Sequence, residues 1–142
     1  MGLFSSSLMR LKNYNMTDLT TLSLKYLFFA LCVVFSHYLL TTIEVFYIST
    51  NLFYPIHIIN FSVSFFCTLI ILLLIKSLKN KIGFIFLILS IIKFFVVIAY
   101  LGYVIINNTK VEVFAIHFVC VYFLYLFFDV KWTVNKINTL NT

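Results

Sequence analysis

Several side chains in this sequence can pair with, bind or carry charge, yet stand inside long apolar runs; the chief candidates for an intramembrane polar layer are Lys93, His37, Glu44, Asn60, Ser64 and His117. Lys93 is the most demanding of them. It lies eleven positions past Ile82, where its run opens, which is about 16 Å along a helix. An ammonium at that depth in hydrocarbon costs on the order of 3 kcal/mol unless it pairs or reaches water. The chemistry to look for is therefore a carboxylate partner or an ion path. His37, Thr41 and Glu44 recur at i, i+4 and i+7, and His57, Asn60, Ser64 and Cys67 likewise share one face of a second helix. The last run carries His117, with Asp129 close to its end. Counted from the ends of their runs, His37, Asn60 and Lys93 fall within about one helical turn of a common depth, and His117 slightly further out. The expectation is one polar layer inside the membrane.

Three uses of such a layer compete. Asn, Ser, Thr and His side chains can hold helices together by hydrogen bonds worth about 0.6 to 2 kcal/mol each. Lys93 can dock a carboxylate on a partner helix. His37, Glu44 and Lys93 can also belong to an ion or proton path. Enzymatic chemistry has no visible apparatus: the sequence has no GxSxG, no P-loop and no GxGxxG, and Asp18, Glu44, Glu112 and Asp129 form no close pair. Asp129 and Lys131 read as solvated helix-end charges. No metal and no cofactor are expected, because the three histidines fall in three different runs without HxxxH or HxH spacing. Cys32, Cys67 and Cys120 stand singly with no CxxC pair, and are expected to be buried, reduced packing residues.

The elements that must position these groups follow from composition. The chain is 63% hydrophobic and only 10% charged, against roughly 25% charged residues in an ordinary soluble domain. It cannot cover itself with polar surface. Four apolar runs, about 22–48, 52–75, 82–106 and 111–130, each reach the 17 to 25 residues that cross a bilayer as helix. The fold class expected is all-α: an integral membrane, four-transmembrane-helix antiparallel bundle, its domain spanning 22–130 between an N-terminal tail 1–21 and a C-terminal tail 131–142. Short joints require consecutive helices to run antiparallel, and Pro55 falls in the first turns of the second helix, where its missing N–H costs little. Met16 is a second candidate start, which would leave residues 1–15 untranslated. A cleaved signal peptide is not expected.

The net charge of +6 comes from ten basic residues scattered between apolar runs, which make no contiguous stripe for nucleic acid. They serve instead as topology signals. Arg10, Lys12, Lys25, Lys76, Lys79, Lys81, Lys131 and Lys136 fall on one side, and only Lys110 on the other. By the positive-inside rule both termini are cytoplasmic. Trp132, Tyr26, Tyr54 and Tyr103 are placed as interfacial aromatics, and no GxxxG marks a dimer face.

Two stretches carry a family resemblance. GFIFLILSIIKFFVVIAYLGYVI, with a Gly and Phe opening and a lone central Lys, resembles the third helix of small bacterial membrane proteins related to the ATP synthase I chain. VFAIHFVCVYFLYLFFDVKWTVNKIN is similar to their last helix, with its F-x-Y-L-F-F-acidic ending and closing V-x-K-x-N, and KYLFFALCVVFSHYLL resembles the opening segment of an uncharacterised branch through Ser36, His37 and Tyr38. The likeness covers roughly residues 22–138 and leaves the N-terminal tail unaligned. It implies a four-helix protein of the bacterial inner membrane, encoded beside the ATP synthase genes. The I chain is regarded as an assembly helper for the c-subunit ring, and divalent-cation transport has also been suggested for it. Lys93 is the matching position. The function expected is a non-enzymatic accessory protein of the F-type ATP synthase membrane sector, with the lipid bilayer and c subunits as partners. A small ion or lipid-carrier transporter, flippase-like, and a purely structural partner subunit are the rivals.

Overall fold

The computed structural model describes residues 16–43, 48–75, 78–107 and 112–139. They form four helices, α1 (Met16–Thr41), α2 (Thr50–Leu74), α3 (Ile82–Asn107) and α4 (Glu112–Thr139), with a short 3₁₀ turn at Lys79–Lys81 leading into α3. Each helix is long and apolar enough to cross a membrane; at 26 residues, α1 and α3 extend about 39 Å.

Local chemistry accounts for the ends. The polar stretch Thr17 to Thr21, expected to be tail, is already helical: Asp18 lies in the first turn, where the helix dipole favours a negative charge, and the Thr20 and Thr21 hydroxyls donate to the Thr17 carbonyl. At the other end α1 tightens. The Thr42 and Ile43 amides reach back three residues to Leu39 and Leu40, and the Thr41 and Thr42 hydroxyls donate to the Tyr38 and Leu39 carbonyls. α1 therefore stops at Thr41 rather than near residue 48, and Glu44 lies outside the described residues. α2 opens with the Leu52 and Phe53 amides on the Ser49 carbonyl. α4 carries Glu112 in its first turn and Lys136 in its last, both matched to the dipole, and continues nine residues beyond the expected end at Val130.

The helices alternate in direction. On α1 and α2, Tyr26 meets Thr68 while His37 meets His57; on α1 and α4, Tyr26 meets Asp129 while His37 meets His117. α2 packs against all three others. Tyr26, Ile56, Phe118 and Tyr125 are fully buried along the axis, and Phe29 stacks on Phe128 across α1 and α4, their centroids 4.3 Å apart. The outside is apolar: Phe28 is 70% exposed, Phe127 67% and Ile106 85%. Polar and charged groups are turned inward instead, among them His37, Asn60, Ser64, Lys93, His117 and Asp129. In water that arrangement would leave the main gain of folding unused.

The cysteines do not fit the expectation of burial. Cys32 and Cys120 are exposed and Cys67 is half-buried. On a bundle whose outer surface is itself apolar, a small apolar side chain has no reason to turn inward.

Candidate functional site

Two polar clusters sit inside the bundle, about three helical turns apart. The first takes one residue from each helix. Lys93 of α3 places Nζ 2.8 Å from Asp129 Oδ2 of α4, and both residues are almost wholly buried. The other carboxylate oxygen, Oδ1, accepts from the Tyr26 hydroxyl of α1 and from Thr68 Oγ1 of α2 at 3.1 Å. The two hydroxyl oxygens are themselves 2.7 Å apart. Lys93 Nζ also lies 5.1 Å from the centroid of the Tyr122 ring, within cation–π range. Every element of the bundle is thus tied to one carboxylate. Such charge-assisted bonds offset the large desolvation cost of burying two ions.

The second cluster is a row of three imidazoles. His37 of α1 is central, with Nδ1 2.8 Å from Nε2 of His57 on α2 and Nε2 hydrogen-bonded to Nδ1 of His117 on α4. The ring centroids of His57 and His117 lie 4.9 and 4.7 Å from that of His37, and Phe53 stacks on His37 from the side. All three rings are buried. His37 presents a different nitrogen to each neighbour, so the lone pairs form a line and do not converge on a point. Among the described residues, no group of three or more His, Cys, Asp or Glu is arranged to hold a metal ion. What a line of imidazoles can do is pass protons, because each ring accepts at one nitrogen and releases from the other.

Between the clusters runs the buried face of α2, where Asn60 and Ser64 are wholly buried. Asn60 Nδ2 donates to the Ile56 carbonyl of its own helix at 2.8 Å. Asn60 Oδ1, Ser64 Oγ and Tyr125 OH have no hydrogen-bond partner among the described residues, and neither does His57 Nδ1 at one end of the stretch. Past the carboxylate, Thr133 Oγ1 is in the same condition, and Lys136 and Asp18 close the bundle with an ion pair at 2.8 Å, about a quarter exposed.

Of the residues singled out in the sequence, His37 and His117 come together, Lys93 is elsewhere, and Asn60 and Ser64 lie between. The expected single layer is two. His57, Tyr26, Thr68 and Asp129 carry roles that spacing alone did not assign. Asp129 is not a solvated helix end but the centre of the four-helix cluster, because α4 runs on to Thr139 and leaves it nearly three turns inside. Tyr26 is not an interfacial aromatic: it is wholly buried with its hydroxyl on that carboxylate, whereas Tyr54 and Tyr103 are exposed. The histidines do meet, although they are on three different helices. A signal for part of this was present: Tyr26 and His37, and His57 and Thr68, are each eleven residues apart, close to three full turns and therefore one face, whereas the twelve residues from His117 to Asp129 leave those two about 120° apart around α4. No family model, curated protein or solved structure matches the chain.

Proposed function

We propose that the chain is inserted in the bacterial inner membrane through all four helices, with both termini cytoplasmic. We further propose that it is a non-enzymatic accessory protein assisting assembly or stability of the membrane sector of an F-type ATP synthase. The residue pattern around Lys93 and along α4 supports the identity of the partner. The observation that carries the mechanism is the Lys93–Asp129 pair. It lies on the helix the bundle covers least, where the buried residues are Ile82, Lys93, Val97 and Val104. A partner helix arriving beside α3 would bring an intramembrane carboxylate, as of a c subunit, to an ammonium that is already neutralised. Docking is then an exchange in which the partner's carboxylate displaces Asp129.

Exchange predicts opposite signs for the two halves of the pair. Asp129→Asn frees the ammonium and strengthens association; Lys93→Leu removes it and weakens association. The check is affinity purification in mild detergent with each variant, scored by co-purifying c subunit. No ATP synthase subunit with the wild-type chain, together with normal ring assembly in a deletion strain, would overturn the accessory role. Equal recovery with both variants would remove the pair from the mechanism.

A further inference from the structure

The buried polar groups form a file that runs most of the length of the bundle. From the imidazole row it passes along α2 through Asn60 and Ser64 to Thr68, Tyr26 and Asp129, and on along α4 through Thr133 to Lys136 and Asp18. On α1, His37 and Asp18 are nineteen residues apart, about 28 Å of helix, close to the roughly 30 Å of a bilayer's hydrocarbon core. His57, Asn60, Ser64 and Thr68 keep to one face of α2, successive Cα positions rising about 4.5 to 6 Å. A purely structural set of helix-bridging polar groups would be expected to satisfy itself. Here five buried atoms on α2 and α4, His57 Nδ1, Asn60 Oδ1, Ser64 Oγ, Tyr125 OH and Thr133 Oγ1, find no partner among the described residues. Buried polar atoms without a protein partner are the groups to which internal water bonds in proteins, where there is room for it.

We propose that this file is a proton relay: His117, His37 and His57 pass a proton in series to the hydrated face of α2, and Asp129, held by Lys93, receives it. The transfers balance without redox chemistry. With each ring carrying its proton on Nδ1, a proton arriving forms N–H at His117 Nε2. The His117 Nδ1–H bond breaks as N–H forms at His37 Nε2, and the His37 Nδ1–H bond breaks as N–H forms at His57 Nε2. His57 then releases its Nδ1 proton toward Asn60 Oδ1 and the water beside it. Reorientation of the rings, or reverse passage, restores the starting tautomers. At the far end Asp129 takes the proton as O–H, its other contacts to Tyr26 and Thr68 being hydroxyls that can reverse their donor sense. Lys93 keeps the site net positive when Asp129 is protonated, which favours release onward past Thr133.

The test is proton flux into liposomes holding the purified full-length chain alone, with an entrapped pH dye and a potassium diffusion potential set by valinomycin. The wild-type chain should acidify the lumen at least tenfold faster than protein-free vesicles. His37→Gln, which interrupts the row at its centre, and Asp129→Asn should each return the rate to the protein-free level, while Cys32→Ala on the outer surface should keep it. Ser64→Ala removes a relay oxygen without adding bulk and should slow flux at least threefold; it serves if the histidine variant fails to fold. Wild-type vesicles no faster than protein-free ones, or undiminished flux in both His37→Gln and Ser64→Ala, would overturn the relay. Because ATP synthase is absent from the vesicles, this outcome is independent of the accessory role.

Discussion

An ammonium that is 1% exposed among phenylalanines and isoleucines needs a counter-charge within reach, and Asp129 supplies one at 2.8 Å. The carboxylate is in turn over-supplied with donors, since Tyr26 and Thr68 share its second oxygen. Removing one ion leaves the other buried without its partner, whereas removing both leaves an apolar contact of similar shape. Breaking such pairs singly costs about 3 to 5 kcal/mol, and replacing both partners together is often close to neutral. Lys93→Leu and Asp129→Leu should therefore each destabilise the bundle by about that amount, and the double variant by less than either. Denaturant-induced unfolding in detergent micelles reads all three. Additive losses in the double variant would show that the two charges are not coupled. The cost of Lys93 pointed to a carboxylate, but the choice among four acidic residues required knowing that Asp129 lies inside a helix. His57 was visible on its face of α2; that it meets His37 and His117 depends on how three helices cross.

At the scale of elements, the four helices and the short joints follow from apolarity and length, and their approximate places were legible in the sequence. Their ends were not. Apolar runs mark where a helix is apolar, and the polar turns Thr17 to Thr21 and Lys131 to Thr139 remain helical because dipole-matched charges and hydroxyl-to-carbonyl bonds complete them. Extending α4 by nine residues moved Asp129 from a rim to the interior, so a boundary error became a site error. The two ends are held by Asp18 and Lys136, a pair open enough to water to contribute only about 0 to 1 kcal/mol. α3 offers a cleaner measurement. Gly102 sits within it, and a Cβ there would meet nothing within 4 Å. Gly102→Ala should stabilise the chain by about 0.5 to 1 kcal/mol through helix propensity alone, seen as a higher midpoint in the same unfolding assay. A loss of stability would mean that the glycine admits a neighbour to the outer face of α3.

For the whole molecule, the inverted distribution of polarity and the asymmetric distribution of charge make one joint demand. A surface bearing Phe28, Ile106 and Phe127 is suited to lipid, and in the membrane placement proposed above the lysines would choose the side. Lys25, Lys131 and Lys136 sit toward the end of the bundle where α1 begins and α4 ends, and Lys79 and Lys81 precede α3 at that same end. The helix directions found here make this consistent: α1 and α3 run away from that end, and α2 and α4 return to it. On the proposed topology four crossings would put the start of α1 and the end of α4 on one side, which the positive-inside rule would make cytoplasmic. The expected result is that a green fluorescent protein fused after Thr142 is fluorescent and that alkaline phosphatase at the same place is inactive, while phosphatase inserted at the 108–111 joint is active. Replacing Lys76, Lys79 and Lys81 with neutral residues should erode that contrast, because on the proposed topology those three charges would keep the α2–α3 connection cytoplasmic. The reverse pattern of fusions would turn the proton file end for end, with Asp18 and Lys136 facing outward and the imidazole row facing the cytoplasm, and would leave its length and its chemistry as they are.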